Sequence, residues 1–432
     1  MNYGVSFLTP LVALGQNPTA SWRSNFEPLG LFCYKNAKNP NLPVAEQHEF
    51  AHSGGCGCEN TQFRWTNDEM FMMESHGHNC DPIFPGYNST VDGDCTFFRI
   101  RNMATGIVVA NVSESLYHSF FSAVVDYTTK PGKPTLWVFG PAHARGNKVK
   151  PGPCDGNGNW SGCYIGGWKS TDLIHWSAVA KAVPLPDHFA SFNVRATMVP
   201  GGGGGIGSDE ALHALPKHQA AMVIEPRSDY AFRNASFRYA INIGNDGDLS
   251  KNWKLLPGHL YSESGPGVPA QLNLGAPSMH YDAEEGYYYT IGGGSITAGP
   301  VRSKSLAAGT WEMSPLAPMS SPAAQLDAVG LPATDGATYR GFYTDVWAME
   351  TSEDRAENTA FLQNISKWNW GSTDPDFCCS DGKAPSYLLH TMSQQGMPSS
   401  QKNKKATQFA SIERFNGTLN EWMRSYFPKL DP

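Results

Sequence analysis

The sequence predicts an all-β chain folded as a five-bladed β-propeller. A phrase made of a polar Ser/Asp–Leu turn and a following tryptophan recurs three times, ending at Trp176, Trp253 and Trp311. These tryptophans lie 77 and 58 residues apart, which fits four-stranded units with long loops. The β-rich sequence runs from Phe63 to Leu389 and holds about five units of roughly 65 residues. A pair of β-sandwiches with chance tryptophan spacing is the alternative.

Each copy of the phrase follows a short β-rich run, which we interpret as an inner strand of a blade. The copies span Trp168–Trp176, Asp246–Trp253 and Arg302–Trp311. Asp172 and Asp248 lie within the turns, where a short carboxylate can accept hydrogen bonds from its own turn backbone. We therefore expect both aspartates to be structural.

The composition fits one large domain of short strands and tight turns. The 432 residues include 44 glycines and 31 prolines, and only 16% of them are charged. The formal net charge is −7 and no basic stripe is present, so a nucleic-acid partner is not expected. No run approaches 18 apolar residues, so no membrane partner is expected either. We expect a monomer.

The chain divides into three predicted parts. Residues 1–60 are rich in Asn, Pro and Gly and are expected to form an irregular extension packed on the body. Residues 61–400 are expected to form the propeller. Residues 401–432 are expected to form a helical tail, because apolar residues recur at helical spacing between Thr407 and Phe427.

Cysteines and glycosylation sequons favour secretion. Seven of the nine cysteines precede residue 164, and six Asn-x-Ser/Thr sequons are present. Cys56-Gly-Cys58 with nearby histidines could instead bind zinc, but this spacing is unusual for a structural zinc site. We therefore favour disulfides, and two pairs bracket short loops: Cys80 with Cys95, and Cys154 with Cys163.

The motif at Trp168–Trp176 resembles the blade signature of family 43 glycoside hydrolases and the related invertase-type enzymes. Arg302–Trp311 is similar, and Ser372–Gly382 resembles a closing unit of that group. The resemblance covers roughly residues 61–425. It implies hydrolysis of an oligo- or polysaccharide by a base, a general acid and a third carboxylate that tunes the acid. It requires no cofactor, and it leaves room for a structural Ca²⁺ on the propeller axis.

Three acidic residues are the candidates for catalysis. Glu225 ends the apolar strand after Gln219, where desolvation would raise its pKa, so we predict that it is the general acid rather than a surface ion-pair partner. Glu74 is the candidate base, with Asp68 and Asp81 as alternatives. Asp126 is the candidate for the tuning carboxylate, although it also fits an aspartate that starts a turn.

Further residues are candidates for contact with sugar. Arg195 could pair with a substrate carboxylate if the sugar is a uronate. Trp168 could stack on a sugar face, although tryptophan in a blade also serves as core. Asp374 and Asp376 lie two residues apart and share a strand face, so either could contact substrate or a cation. The complete set is His118, Arg195, Asp345, Asp374, Asp376 and Trp168.

The sequence thus predicts a secreted glycosidase. Two alternatives stay open at this stage: a propeller that binds carbohydrate without cleaving it, and a carbohydrate lyase or transferase on the same fold. A fold alone does not decide among them.

Overall fold

The structure is a computed structural model of the full chain. It describes residues 26–32, 61–76, 96–102, 108–114, 121–130, 132–141, 163–186, 189, 191–203, 215–226, 237–256, 277–291, 300–306, 311–314, 370–394 and 408–428. These residues form strands almost throughout, together with a 3-10 turn at Thr66–Asp68 and the α-helix α1 at Leu419–Ser425. In this part of the chain, no helix has the length and apolar character needed to cross a membrane.

The strands, in chain order, are β1 Phe26–Phe32, β2 Thr61–Arg64, β3 Met70–His76, β4 Thr96–Asn102, β5 Val108–Glu114, β6 Ser122–Asp126, β7 Thr135–Pro141, β8 Tyr164–Ser170, β9 Ser177–Pro184, β10 Ser191–Gly203, β11 His218–Pro226, β12 Arg238–Asn242, β13 Trp253–Leu255, β14 Ser278–Asp282, β15 Tyr287–Ile291, β16 Val301–Ser303, β17 Glu312–Met313, β18 Trp370–Cys378, β19 Ser386–Gln394 and β20 Gln408–Phe415.

These strands form five four-stranded antiparallel sheets. The first four sheets are each built from consecutive strands, in the orders β2-β3-β4-β5, β6-β7-β8-β9, β10-β11-β12-β13 and β14-β15-β16-β17. The fifth has the order β1-β20-β19-β18. Antiparallel neighbours joined by short turns explain the many Gly and Pro residues of the sequence.

One edge strand of each sheet contacts the edge strands of two other sheets. We call these edge strands the first strands; they are β2, β6, β10, β14 and, in the fifth sheet, β18. Strand β2 contacts β6, β6 contacts β10, β10 contacts β14, β14 contacts β18, and β18 contacts β2. A buried ion pair also joins β2 to the segment that follows β18. Arg64 Nη1 lies 2.9 and 2.6 Å from the two carboxylate oxygens of Asp381. Each of these five strands therefore has two of the others as neighbours.

The two ends of the chain differ from the prediction. Within residues 1–60, predicted to be irregular, β1 pairs with β20 and is the outermost strand of the fifth sheet. Within the predicted helical tail, Gln408–Phe415 form strand β20, and only Leu419–Ser425 are helical. The helical spacing of the apolar residues does not predict this strand. Asn416-Gly417 interrupts the segment, and β19 and β1 supply backbone hydrogen-bond partners on both sides of β20.

The repeated phrase lies between the third and fourth strands of a sheet, so the runs before it are not inner strands as predicted. Trp176 packs edge-on against Phe98 of the first sheet, with ring centroids 5.1 Å apart. Trp253 packs on Phe139 of the second sheet in the same way, at 5.8 Å. Trp311 stacks on a tyrosine of the third sheet, at 5.1 Å. Each repeat tryptophan therefore anchors its sheet to the preceding one.

The turns of the phrase are held as the sequence predicted. Asp172 accepts hydrogen bonds from the backbone amides of Ile174 and His175, and Asp248 accepts one from the amide of Ser250. These bonds confirm that both aspartates are structural.

Candidate functional site

A small cavity lies where the five first strands meet, with a volume of about 40 Å³. A cavity of this size holds a few water molecules or one protruding polar group, but not a whole sugar ring. All five first strands contribute to its wall. The polar or charged residues on the wall include Thr61, Gln62, Arg195, Ser278 and Asp376.

Asp376 on β18 is the carboxyl of this cavity. Its Oδ2 accepts a hydrogen bond of 2.8 Å from the backbone amide of Gln62, and its Oδ1 lies 3.7 Å from Nε of Arg195. The side chains of both Asp376 and Arg195 are 4% exposed. Burial raises the pKa of Asp376 to about 7, although the Arg195 charge and the Gln62 amide act in the opposite direction. Near neutral pH the Asp376 carboxyl is therefore divided between its protonated and ionised forms.

Gln62 brings an unusual amide to the same wall. Its side chain is buried, yet neither Nε2 nor Oε1 has a hydrogen-bond partner among the described residues. The Oδ1 atom of Asn193 on β10 is also buried and lacks a partner in this part of the chain. A buried polar atom left without a partner costs about 1–3 kcal/mol. These atoms are suited to a ligand that both donates and accepts hydrogen bonds.

Glu225 lies on β11, the strand next to β10, and is not among the residues that line this cavity. It ends β11 directly opposite Asn193, whose Nδ2 donates a 2.8 Å hydrogen bond to Glu225 Oε2. Asn193 and Arg195 are two residues apart on β10, so they share a face and are separated by about 7 Å. Glu225 and Asp376 are therefore each in contact with one of two adjacent side chains on the same strand face.

The two carboxyls have unlike environments. Asp376 is enclosed, whereas Glu225 is half-buried and accepts a hydrogen bond from an amide. The sequence predicted desolvation at Glu225, but an apolar strand does not determine whether the residue at its end is enclosed. The pair can supply one group that holds a proton and one that accepts it.

The strand that carries Asp376 is held firmly at its end. Cys378 and Cys379 are joined by a disulfide and are both buried, and Cys379 lines the cavity. Just beyond them, Asp381 forms the ion pair with Arg64, whose Nη2 also donates to the carbonyl of Pro385 at 2.6 Å. These contacts fix β18 against β2 next to the candidate site.

The cavity does not fit the Ca²⁺ ion that the family resemblance leaves room for. Asp376 is the only carboxylate among the described residues of its wall, and the Arg195 guanidinium lies against it. Ca²⁺ takes six to eight oxygen ligands and usually several carboxylates. In the described part of the chain, no three His, Cys, Asp or Glu residues form a group that could hold a metal.

Asp126 does not join Glu225. It ends β6 and accepts hydrogen bonds from Thr128 N, Thr128 Oγ1 and Thr129 N, as an aspartate that starts a turn does. Thr128 and Thr129 line a second cavity with His218, at the other end of β11 from Glu225. The structure places the Asp126 carboxylate within its own turn, and the tuning role stays a prediction.

Of the other predicted residues, Trp168 and Asp68 have described side chains. Trp168 lies on the third strand of its sheet and packs against a buried cluster, as core tryptophan does. Glu74 lies on β3 opposite Arg99, and Asp374 lies on β18 opposite Thr391. Their side chains are outside the described set, as are the whole residues His118, Asp345 and Asp81. Asp68 is exposed and pairs with Lys383 at 2.5 Å, so it is not at the cavity.

Two residues of the site were missed in the sequence. Gln62 and Asn193 are polar positions within otherwise apolar or alternating strands, and only their placement near the ends of first strands marks them.

Of the predicted disulfides, Cys163 is disulfide-bonded, while Cys154, Cys80 and Cys95 lie outside the described residues.

Comparisons with known proteins give distant structural matches. No family model matches the chain, and no curated protein matches it by sequence. A GH43_1 enzyme from Xanthomonas citri is 14% identical with a TM-score of 0.38, covering 83% of this chain and 87% of its own. The same enzyme complexed with xylotriose is 12% identical with a TM-score of 0.39, and the match covers 83% of this chain and 86% of that one. An α-L-arabinofuranosidase from Lactobacillus brevis is 11% identical with a TM-score of 0.39, and the match covers 86% of this chain and 94% of that one.

The Xanthomonas enzyme belongs to glycoside hydrolase family 43, which the sequence motifs resemble. TM-scores below 0.5 do not establish a shared fold, and identities of 11–14% do not transfer an activity.

Proposed function

We propose that the five sheets are the blades of a five-bladed β-propeller and that the chain is a glycoside hydrolase. The observation that carries the proposal is that Asp376, on the wall of the axial cavity, contacts Arg195, while Glu225, outside that wall, contacts Asn193, two residues away on β10. Two carboxyls in unlike environments are what acid–base cleavage of a glycosidic bond requires.

In the proposed mechanism, Asp376 is the general acid. In its protonated form the carboxyl keeps the Gln62 amide on Oδ2, and Oδ1 lies 3.7 Å from Nε of Arg195. Donation of that proton to the leaving oxygen produces a carboxylate, which the Arg195 charge stabilises. Glu225 accepts a proton from the water that attacks the anomeric carbon. Its half-exposed position supports contact with water.

Hydroxyl-rich substrates suit the remaining polar atoms. The amide of Gln62 offers one acceptor and two donor hydrogens, and a sugar hydroxyl can serve either. We propose an oligo- or polysaccharide substrate that extends one substituent into the cavity. We also propose that the protein is secreted, acts as a monomer and requires no cofactor. The sequons and clustered cysteines support secretion.

A propeller that binds carbohydrate without cleaving it is the second candidate. The observation that favours it is the cavity volume of about 40 Å³, which limits how closely a sugar ring can approach Asp376.

Release of reducing sugar decides between these two functions. Wild type, Asp376→Asn and Glu225→Gln are incubated with xylo- and arabino-oligosaccharides and a panel of aryl glycosides, with Asp246→Asn as a surface control. We expect hydrolysis of at least one substrate by wild type and the control, with a loss of about a hundredfold or more in each site variant. Glycan binding without any hydrolysis by wild type would instead support the silent propeller.

A further inference from the structure

A second and larger cavity lies between the second and third sheets. Its volume is about 480 Å³, within the range of sites that bind small molecules. Its wall comes from the β6–β7 turn, the two strands β10 and β11, and the β12–β13 turn. The lining includes Thr129, Val199, Gly201, Lys217 and Ile243.

This cavity adjoins the axial cavity at one wall and extends away from it. Ala196 lines the axial cavity, and Met198, two residues further along β10, lines this one. Lys217 precedes β11 and lies eight residues before Glu225, a stretch of strand that spans about 26 Å. A group bound at Lys217 is therefore far from Glu225.

A network of hydrogen bonds keeps one wall in place. The Gln219 side chain donates to Asn242 Oδ1 and accepts from the amide of Gly247, each at 2.8 Å. A Cβ atom at Gly247 would lie 2.3 Å from the Thr129 side chain, so the turns of two sheets touch there. The cavity is formed by fixed backbone rather than by long side chains, which favours a pre-formed site.

Among the described residues of the lining, one group is charged, and it is positive. Lys217 is exposed and has no ion-pair or hydrogen-bond partner within the described residues. His218 is buried and neutral, because burial lowers its pKa and both ring nitrogens are used by Pro216 O and Tyr288 Oη. The nearby Asp126 carboxylate is taken up by its own turn.

The lining also presents apolar surface and open backbone. Ile243 is 47% exposed, which is unusual for a large apolar side chain in the described part of this protein. Gly201 has a φ of +83° and nothing lies within 4 Å of where its Cβ would be. An apolar face beside a cation and a flat backbone suits the ring face of a sugar that bears an anionic group.

From this combination we infer that the second cavity binds an acidic saccharide, whose carboxylate or sulfate contacts Lys217 and whose ring packs on Ile243. The site holds the anionic group of a chain away from Glu225 and does not cleave it. That the ligand is a saccharide rests on the proposed function, whereas its anionic character rests on the lining.

Binding is measured by isothermal titration calorimetry with three probes: a galacturonic acid hexamer, a chondroitin sulfate hexasaccharide and xylohexaose. We expect wild type to bind at least one acidic probe and to bind xylohexaose at least tenfold more weakly. Binding of both acidic probes indicates a carboxylate ligand, which both carry, whereas binding of the chondroitin sulfate probe alone indicates a sulfate ligand. Lys217→Ala is expected to lose at least tenfold in affinity, and Ile243→Asp to lose more.

Lys254→Ala is the matched control, because Lys254 is an exposed lysine of the same sheet outside the cavity. It is expected to bind as wild type does. The inference is overturned if neither acidic probe binds, if xylohexaose binds equally well, or if Lys217→Ala binds like the control. Asp376→Asn should retain acidic binding, so failure of the glycosidase proposal and failure of this one are distinguishable.

Discussion

Replacing Asp376 with asparagine is expected to change how stability depends on pH. In the unfolded chain this carboxyl ionises near its ordinary value of 3.8, whereas burial in the folded protein raises its pKa to about 7. Because the folded state binds the proton more tightly, the stability that this proton contributes is fully present below pH 4 and is lost as pH rises towards 7. At 1.36 kcal/mol per unit, a difference of about three units corresponds to about 4 kcal/mol.

The assay is urea denaturation of wild type and Asp376→Asn between pH 4 and 8. The free energy of unfolding of wild type, relative to that of the variant, should fall by about 4 kcal/mol across this window and level off above pH 7. Asp246→Asn is the control, because Asp246 is exposed and hydrogen bonding lowers its pKa. Equal pH dependence in wild type and Asp376→Asn would refute the reasoning, since the buried carboxyl would then be ionised in the folded protein.

Three further substitutions test how the sheets are held together, each by chemical denaturation. Arg64→Ala leaves the Asp381 carboxylate buried without its partner and should cost about 3–5 kcal/mol, and an effect below 1 kcal/mol would contradict a buried ion pair. Trp253→Ala removes the anchor between the second and third sheets and should also cost about 3–5 kcal/mol, whereas Trp253→Phe should cost less. Asp282→Asn weakens the 2.7 Å contact between Arg424 Nη2 and Asp282 and should cost about 1.5–3 kcal/mol, with helix α1 loosened in hydrogen exchange.

The sequence predicted the repeated unit because the unit is local. The turn aspartates, the leucine and the tryptophan act within about ten residues, so the pattern at Asp248 and Trp253 is visible without the fold. What the pattern does not contain is which strand of the sheet carries it. Third strands are covered on both faces by neighbouring sheets, so they are as apolar as inner strands are.

The N-terminal strand could not be predicted for the opposite reason. Phe26–Phe32 includes Pro28 and Gly30, and its pairing with β20 is interrupted between these two residues. Its partner lies near the other end of the chain, and a pairing over such a distance leaves no local signal. The helical spacing of Thr407–Phe427 likewise carried no information about the two strands beside β20.

The candidate site was predicted in part. Asp376, Arg195 and Glu225 were all selected from the sequence, but their roles depend on enclosure and on contacts between strands. The burial of Asp376 results from five strands meeting, and its contact with Arg195 joins residues about 180 positions apart. Neither could be derived from a run of neighbouring residues.

The pH dependence of kcat/KM tests the central claim most directly, because this ratio reports ionisation in the free enzyme. With Asp376 as the general acid, kcat/KM on the best substrate of the panel should fall tenfold per unit as pH rises above about 7. Asp376→Glu should move that limb, and Asp376→Asn should lose the activity. A value of kcat/KM that stays constant from pH 6 to 8.5, or full activity in Asp376→Asn, would contradict the account.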